Sequence, residues 1–111
     1  MRTLKIFTSK LLILTAFIFP QTAYSADIKL GEARYQETCI SCHGPAGKGA
    51  ASFPKISGNE VSYTTDKLKA YREGIVQGSN SFLMIPMAKP LTDEEIANLA
   101  LYLKDAKYIA E

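Results

Sequence analysis

The run Cys39-Ile40-Ser41-Cys42-His43 holds both cysteines and the single histidine of a 111-residue chain. The spacing C-x-x-C-H is an attachment signature for a c-type haem. Two thiols three positions apart at a helix end can form thioether bonds to the vinyl groups of one porphyrin. The adjacent imidazole is then held under the iron as its proximal ligand. Other chemistries also use a C-x-x-C pair. A thiol-disulfide redox site wants a surrounding βαβ pattern, and none is visible here. A zinc site needs four ligands, which one pair and one crowded histidine do not supply without partners. A disulfide across so short a gap would remove little chain entropy.

The start of the chain is expected to lie outside the domain that carries this run. Arg2, Lys5 and Lys10 make a positive n-region, Leu11 to Phe19 an apolar h-region closed by Pro20, and Ala23-Tyr24-Ser25 offers small residues at −3 and −1. Residues 1–25 therefore read as a secretory leader cleaved before Ala26, with Asp27 as the alternative first residue, and residues 26–111 as the folded domain. The apolar stretch is about half the ~20 residues that span a bilayer, so stable membrane insertion is not expected. Of 13 Lys and Arg, the three in the leader leave 10 against 11 Asp and Glu, near −1. No basic patch large enough for nucleic acid remains. A domain of 86 residues has a marginal core of its own, and a large apolar plate would complete it. Folding is then expected to be coupled to ligation.

The elements that must position the C-x-x-C-H run read as helices joined by Gly- and Pro-rich loops, an all-α chain. A first helix is predicted from an Asp27 N-cap to about Ile40, with Leu30, Ala33 and the stem of Arg34 facing inward and Gly31 and Tyr35 on one side. Gly31 inside a helix points to the close approach of another helix. A last helix is predicted from a Thr92/Glu95 capping box to about Lys104, with Ile96, Leu99, Ala100 and Leu103 on its apolar face. A middle helix is predicted over 60–73, capped by Asn59 or Ser62, stopped by Gly74, with Val61, Leu68 and Tyr71 inward. Segments 44–58 and 75–90 read as loops, in which Gly44, Gly47 and Gly49 allow tight turns past a flat ligand.

These residues resemble the class I c-type cytochromes, nearest to the small bacterial cytochrome c4-like and c553-like proteins. The resemblance runs through Gly31-x-x-x-Tyr35, Cys39-x-x-Cys42-His43-Gly44-x-x-Gly47-x-Gly49, Phe53-Pro54-x-Ile56-x-Gly58, then Tyr63, Leu68, Tyr71 and Gly74. It ends with Met84 through Leu91-Thr92-Asp93-Glu94-Glu95-Ile96 and Leu99-Ala100-x-Tyr102. It implies a class I cytochrome c fold, three main helices and Gly/Pro-rich loops wrapped around one haem c bound covalently through Cys39 and Cys42. His43 would be the proximal ligand, with the Pro54 carbonyl accepting from its Nδ1. Tyr63 would hydrogen-bond a haem propionate. Gly31 and Tyr35 would pack against Leu99 and Tyr102 where the terminal helices cross. Met84 precedes Leu91 by the spacing the family uses for its distal ligand, while Met87 falls at a pocket position; both lie in a segment read as a flexible loop.

With both axial positions filled, iron has no open site for substrate, and thioether sulfur raises the reduction potential. The resemblance thus implies a soluble periplasmic one-electron carrier rather than an enzyme. Its partners would be redox proteins: a dehydrogenase or quinol-oxidising complex as donor, a terminal oxidase or reductase as acceptor. They would dock at a haem edge framed by 44–51 and 82–88, with Ser79, Asn80, Ser81 and Phe82 at the rim, in weak encounters with a monomer or weak dimer. The alternative within redox biology is a haem subunit of a periplasmic dehydrogenase, for example a sulfur-compound-oxidising flavocytochrome. A different class is a gas-binding or catalytic haem protein.

Overall fold

The structure is a computed structural model that describes residues 16–18 and 25–111. Most of the expected leader thus lies outside the described residues. Among the described residues five helices follow in order: α1 (Ile28–Thr38), α2 (Ile40–His43), α3 (Val61–Arg72), α4 (Met84–Ala88) and α5 (Asp93–Asp105), with 3-10 turns at Pro45–Gly47 and Ser81–Leu83. Among the described residues there is no strand, only an isolated bridge between Ala50 and Phe53. The all-α expectation and its three longer helices hold.

Local chemistry explains where the terminal helices start. Asp27 caps α1, its Oδ1 accepting from the Leu30 amide at 3.0 Å. Thr92 and Glu95 form the reciprocal capping box of α5, at 3.1 and 2.9 Å, satisfying two amides that no helical carbonyl can reach. Asp93, Glu94 and Glu95 sit in that first turn, where negative charge suits the helix dipole. The two helices then cross at Gly31. A Cβ built there would lie 2.1 Å from the Asn98 carbonyl oxygen and 2.9 Å from Tyr102 Cβ. Only a residue without a side chain lets the backbones come so close. The side chain of Asn98, buried, accepts from the Asp27 amide at 2.7 Å and ties the start of α1 to α5.

This crossing decides which face of α1 is inward, and it differs from the expectation. Gly31 and Tyr35 are buried, whereas Leu30 is 55% exposed and Ala33 is exposed as well. At about 100° per residue, positions 30 and 33 point away from a contact centred on 31 and 35. They border a shallow cleft with the first turn of α5. The core consists of Tyr35, Ala88, Leu91, Ile96, Leu99 and Leu103, with Cys39, Ile40, Ile56, Leu68, Tyr71 and Tyr102 packed against it.

Two further expectations are corrected. Neither Asn59 nor Ser62 caps α3: its N-cap is Glu60, with no side-chain cap bond, and Asn59 instead donates to the Ile56 carbonyl. Gly74 does end α3, at φ +86°. The 75–90 segment is not wholly loop, because Ser81–Ala88 winds into a 3-10 turn and then α4. Its helicity comes from docking rather than propensity. Five residues containing a proline do not hold a helix alone, but Ala88 and Leu91 are anchored in the core.

Candidate cofactor site

A cavity of about 700 Å3 opens between the C-x-x-C-H turn, α3, α4 and the 52–56 segment, within the range of about 300–1,000 Å3 usual for small-molecule and cofactor sites. Cys39, Cys42, His43, Pro54, Tyr63, Met84 and Met87 all line it, as do the apolar side chains of Ile56, Leu68, Leu91, Leu99 and Leu103. Six of these seven polar or sulfur-bearing positions were singled out in the sequence as site residues, and Met87 as the competing sulfur. No three His, Cys, Asp or Glu side chains are grouped to hold a bare ion among the described residues.

The proximal side is one turn of helix. Cys39 has αR backbone angles, and the His43 amide donates to its carbonyl at 3.0 Å. Positions 39, 42 and 43 therefore share a face. Gly44, at φ +75°, ends the turn. His43 is nearly buried, and its Nδ1 lies 2.9 Å from the Pro54 carbonyl oxygen. A carbonyl only accepts, so the contact is a hydrogen bond with the proton on Nδ1. That leaves Nε2 with its lone pair available to a metal. Gly49 brings Pro54 this close: at φ +87°, a Cβ there would sit 2.8 Å from the Lys55 nitrogen and 3.1 Å from the Phe53 oxygen. Phe53 adds an edge contact to the imidazole, ring centroids 6.3 Å apart.

Sequence reasoning missed the support beneath this turn. The fully buried Tyr35 donates its hydroxyl proton to the Gly44 carbonyl at 2.6 Å. Burial pushes that phenol up to about 12. The resemblance placed Tyr35 against the last helix, and its ring does lie 5.5 Å from that of Tyr102; nothing in the motif pointed to the bond. Burial likewise pushes the Cys39 thiol up to about 11, with Arg34 opposing and Cys42 adding to the shift.

On α4, Met84 and Met87 stand three apart, so both reach the same face. Met84 is half-buried and Met87 is 46% exposed. Of the expected rim, Ser79, Asn80 and Ser81 line the cavity; Phe82 does not, and is exposed. Ser81 is also structural: its Oγ accepts from the Gln77 amide at 2.7 Å and donates to the Gly78 carbonyl at 2.9 Å. Tyr63 is exposed at the mouth, with Lys67 Nζ 5.6 Å from its ring centroid.

Besides His43, the ionisable nitrogen groups lining the cavity are Arg34, Lys55 and Lys67, and no carboxylate lines it. The donor set suits a haem: two thiols and an imidazole on one turn, a thioether on another element, apolar walls between, and cations for two acid side arms.

Comparison with known proteins agrees. The family profile described as cytochrome c matches residues 28–107. The chain is 46% identical over 66 residues to cytochrome c-554(548) of Halomonas halodenitrificans, covering 59% of this chain and 80% of that protein. It is 38% identical over 65 residues to the thiosulfate dehydrogenase electron acceptor of Stutzerimonas stutzeri, covering 58% of this chain and 30% of that one. The crystal structure of reduced recombinant cytochrome c4 from Pseudomonas stutzeri superposes with a TM-score of 0.65 at 30% identity, over 74% of this chain and 50% of that chain. The chain thus spans most of the first relative and half or less of the other two.

Proposed function

This chain belongs to the cytochrome c family, as a class I member of its c4/c553-like bacterial group, and from that footing we propose that it is a soluble periplasmic one-electron carrier holding one haem c through Cys39 and Cys42. In this reading His43 and Met84 would ligate its iron. The observation that carries it is the hydrogen bond of His43 Nδ1 to Pro54 in a cavity also lined by Cys39, Cys42 and Met84.

When bound, the haem supplies the one-electron couple, and the protein supplies position and environment. The bond to Pro54 fixes the His43 ring and its tautomer and raises its basicity. Leu68, Leu91, Leu99 and Leu103 exclude water from the interior face. Lys55 and Lys67 offer charge to the propionates, whereas Arg34 is already paired with Glu37 and Glu95, and Tyr63 is a hydrogen-bond donor at the mouth. Met84 is preferred over Met87 because it is the less exposed residue and stands seven positions before Leu91. Among the described residues no helix is long and apolar enough to cross a membrane. The periplasmic assignment rests on the family and on the leader-like pattern of residues 1–25.

The test is expression with haem maturation. The purified protein is expected to give a pyridine haemochrome spectrum of covalent haem and, oxidised, the far-red methionine–iron charge-transfer band. Met84→Ala is expected to abolish that band and Met87→Ala to leave it. Colourless, folded protein would end this reading.

The second reading, a haem subunit of a periplasmic dehydrogenase, draws on the relative named as a thiosulfate dehydrogenase electron acceptor. Gel filtration of native extract separates the two, since a subunit elutes with its enzyme and a carrier elutes alone.

A further inference from the structure

Arg72 closes α3 and reaches across to the segment between α4 and α5. One guanidinium nitrogen donates to the Leu91 carbonyl at 3.0 Å, and the other to Asp93 Oδ1 at 2.6 Å. Leu91 is no ordinary loop residue. It is buried beside Ala88, and its own amide donates to the Ala88 carbonyl at 3.0 Å, closing the end of α4. The fork therefore grips the downstream end of the helix that carries Met84. The upstream end is fastened to α3 as well: Gln77 Nε2 donates to the Lys67 carbonyl at 3.1 Å, and the Gln77 amide holds Ser81 at 2.7 Å. α3 supplies Tyr63, Thr64, Lys67, Leu68 and Tyr71 to the cavity wall.

We propose that Arg72 is a positioning residue for the distal side: by bonding Leu91 and Asp93 together it holds α4 against α3 and keeps the Met84 sulfur in the cavity, closed to outside ligands. This rests on the reading of Met84 as the distal ligand. α4 needs such a device, because it is five residues long, contains Pro86 and has no side-chain cap. A planar fork with two directed donors suits the task, where the single point charge of lysine would not. Opening of α4 then requires breaking both bonds, one of them between charged groups.

The test uses the holoprotein. Wild type and Met84→Ala come first, read by the far-red band of the oxidised form; a wild type without the band, or a Met84→Ala variant that keeps it, defeats the ligand assignment and the clamp with it. With that assignment standing, reduced Arg72→Gln is mixed with carbon monoxide at a temperature where its helical signal equals that of wild type. Binding is expected to be faster by about tenfold or more, the scale of losing hydrogen bonds to a charged group. Its far-red band is expected to fade on warming before the helices melt. Asp93→Asn keeps the bond to Leu91 and is expected to show a smaller acceleration. A wild-type binding rate in Arg72→Gln, with band and helices lost together, overturns the proposal. If Arg72→Gln yields no folded holoprotein, Asp93→Asn decides, and an unchanged rate there overturns it equally.

Discussion

The hydroxyl of Tyr35 donates to the carbonyl of Gly44 at 2.6 Å, so the residue that follows His43 is held from below by the first helix. Deleting this hydroxyl leaves a carbonyl deep in the protein with only the longer bond from the Gly47 amide, 3.2 Å. Tyr35→Phe is expected to lower the unfolding free energy of the holoprotein by about 1–2 kcal/mol, measured by denaturant titration. The same residue sets an alkaline limit. Its folded value lies at about 12 against an ordinary 10.0, so the folded state binds the proton more tightly. The contribution is complete below pH 10.0 and is lost as pH rises toward 12. Tyr35→Phe is expected to remove this part of the alkaline decline; an identical decline in both proteins would show that Tyr35 is not its source.

The helix crossing gives a second prediction. Gly31→Ala places a methyl 2.1 Å from a main-chain oxygen of α5, and neither backbone can yield cheaply. The substitution is expected to destabilise by about 1–3 kcal/mol or more, despite the better helix propensity of alanine. A thermal midpoint equal to or above that of wild type would show that the crossing relaxes freely.

At acid pH the Arg72 contact leaves a signature. The hydrogen bond from Arg72, then its charge, holds the Asp93 carboxyl below its ordinary 3.8, with Lys69 adding a little. A lowered folded value means that the contribution is present above the unfolded carboxylate range and is lost as pH falls through the folded one. Urea titrations should therefore show wild type ahead of Asp93→Asn near neutral pH and the gap closing below 3.8. A gap that is constant with pH would mean that the charge on Asp93 contributes nothing.

The cationic lining of the cavity mouth predicts how small redox reagents meet the protein. Ferricyanide, an anion, is expected to oxidise the reduced holoprotein faster at low ionic strength than at high. The Lys55→Glu, Lys67→Glu double variant should slow this at low salt, and the difference should shrink as salt is added. Equal rates in the two proteins at low salt would show that the two lysines do not steer the anion.

The two kinds of information divide along a physical line. Chemistry that needs only one turn of backbone was plain in the residues: the thiols and imidazole of Cys39, Cys42 and His43 lie within a single helical turn, and the Thr92/Glu95 cap is three residues long. Gly31 and Gly74 were likewise legible, because a missing side chain has meaning at a helix interior or end. What depends on the direction of approach was not. Leu30 and Ala33 are apolar and yet turned outward, because the crossing at Gly31 and Asn98 chose the neighbouring face. Met84–Ala88 is helical although its composition reads as loop, because Ala88 and Leu91 dock in the core and Arg72 grips the exit. The Tyr35–Gly44 and Arg72–Leu91 bonds end on backbone carbonyls, which every residue carries and no sequence pattern marks. The residue types set what chemistry the cavity can support; packing of the helices decided how firmly each of its walls is held.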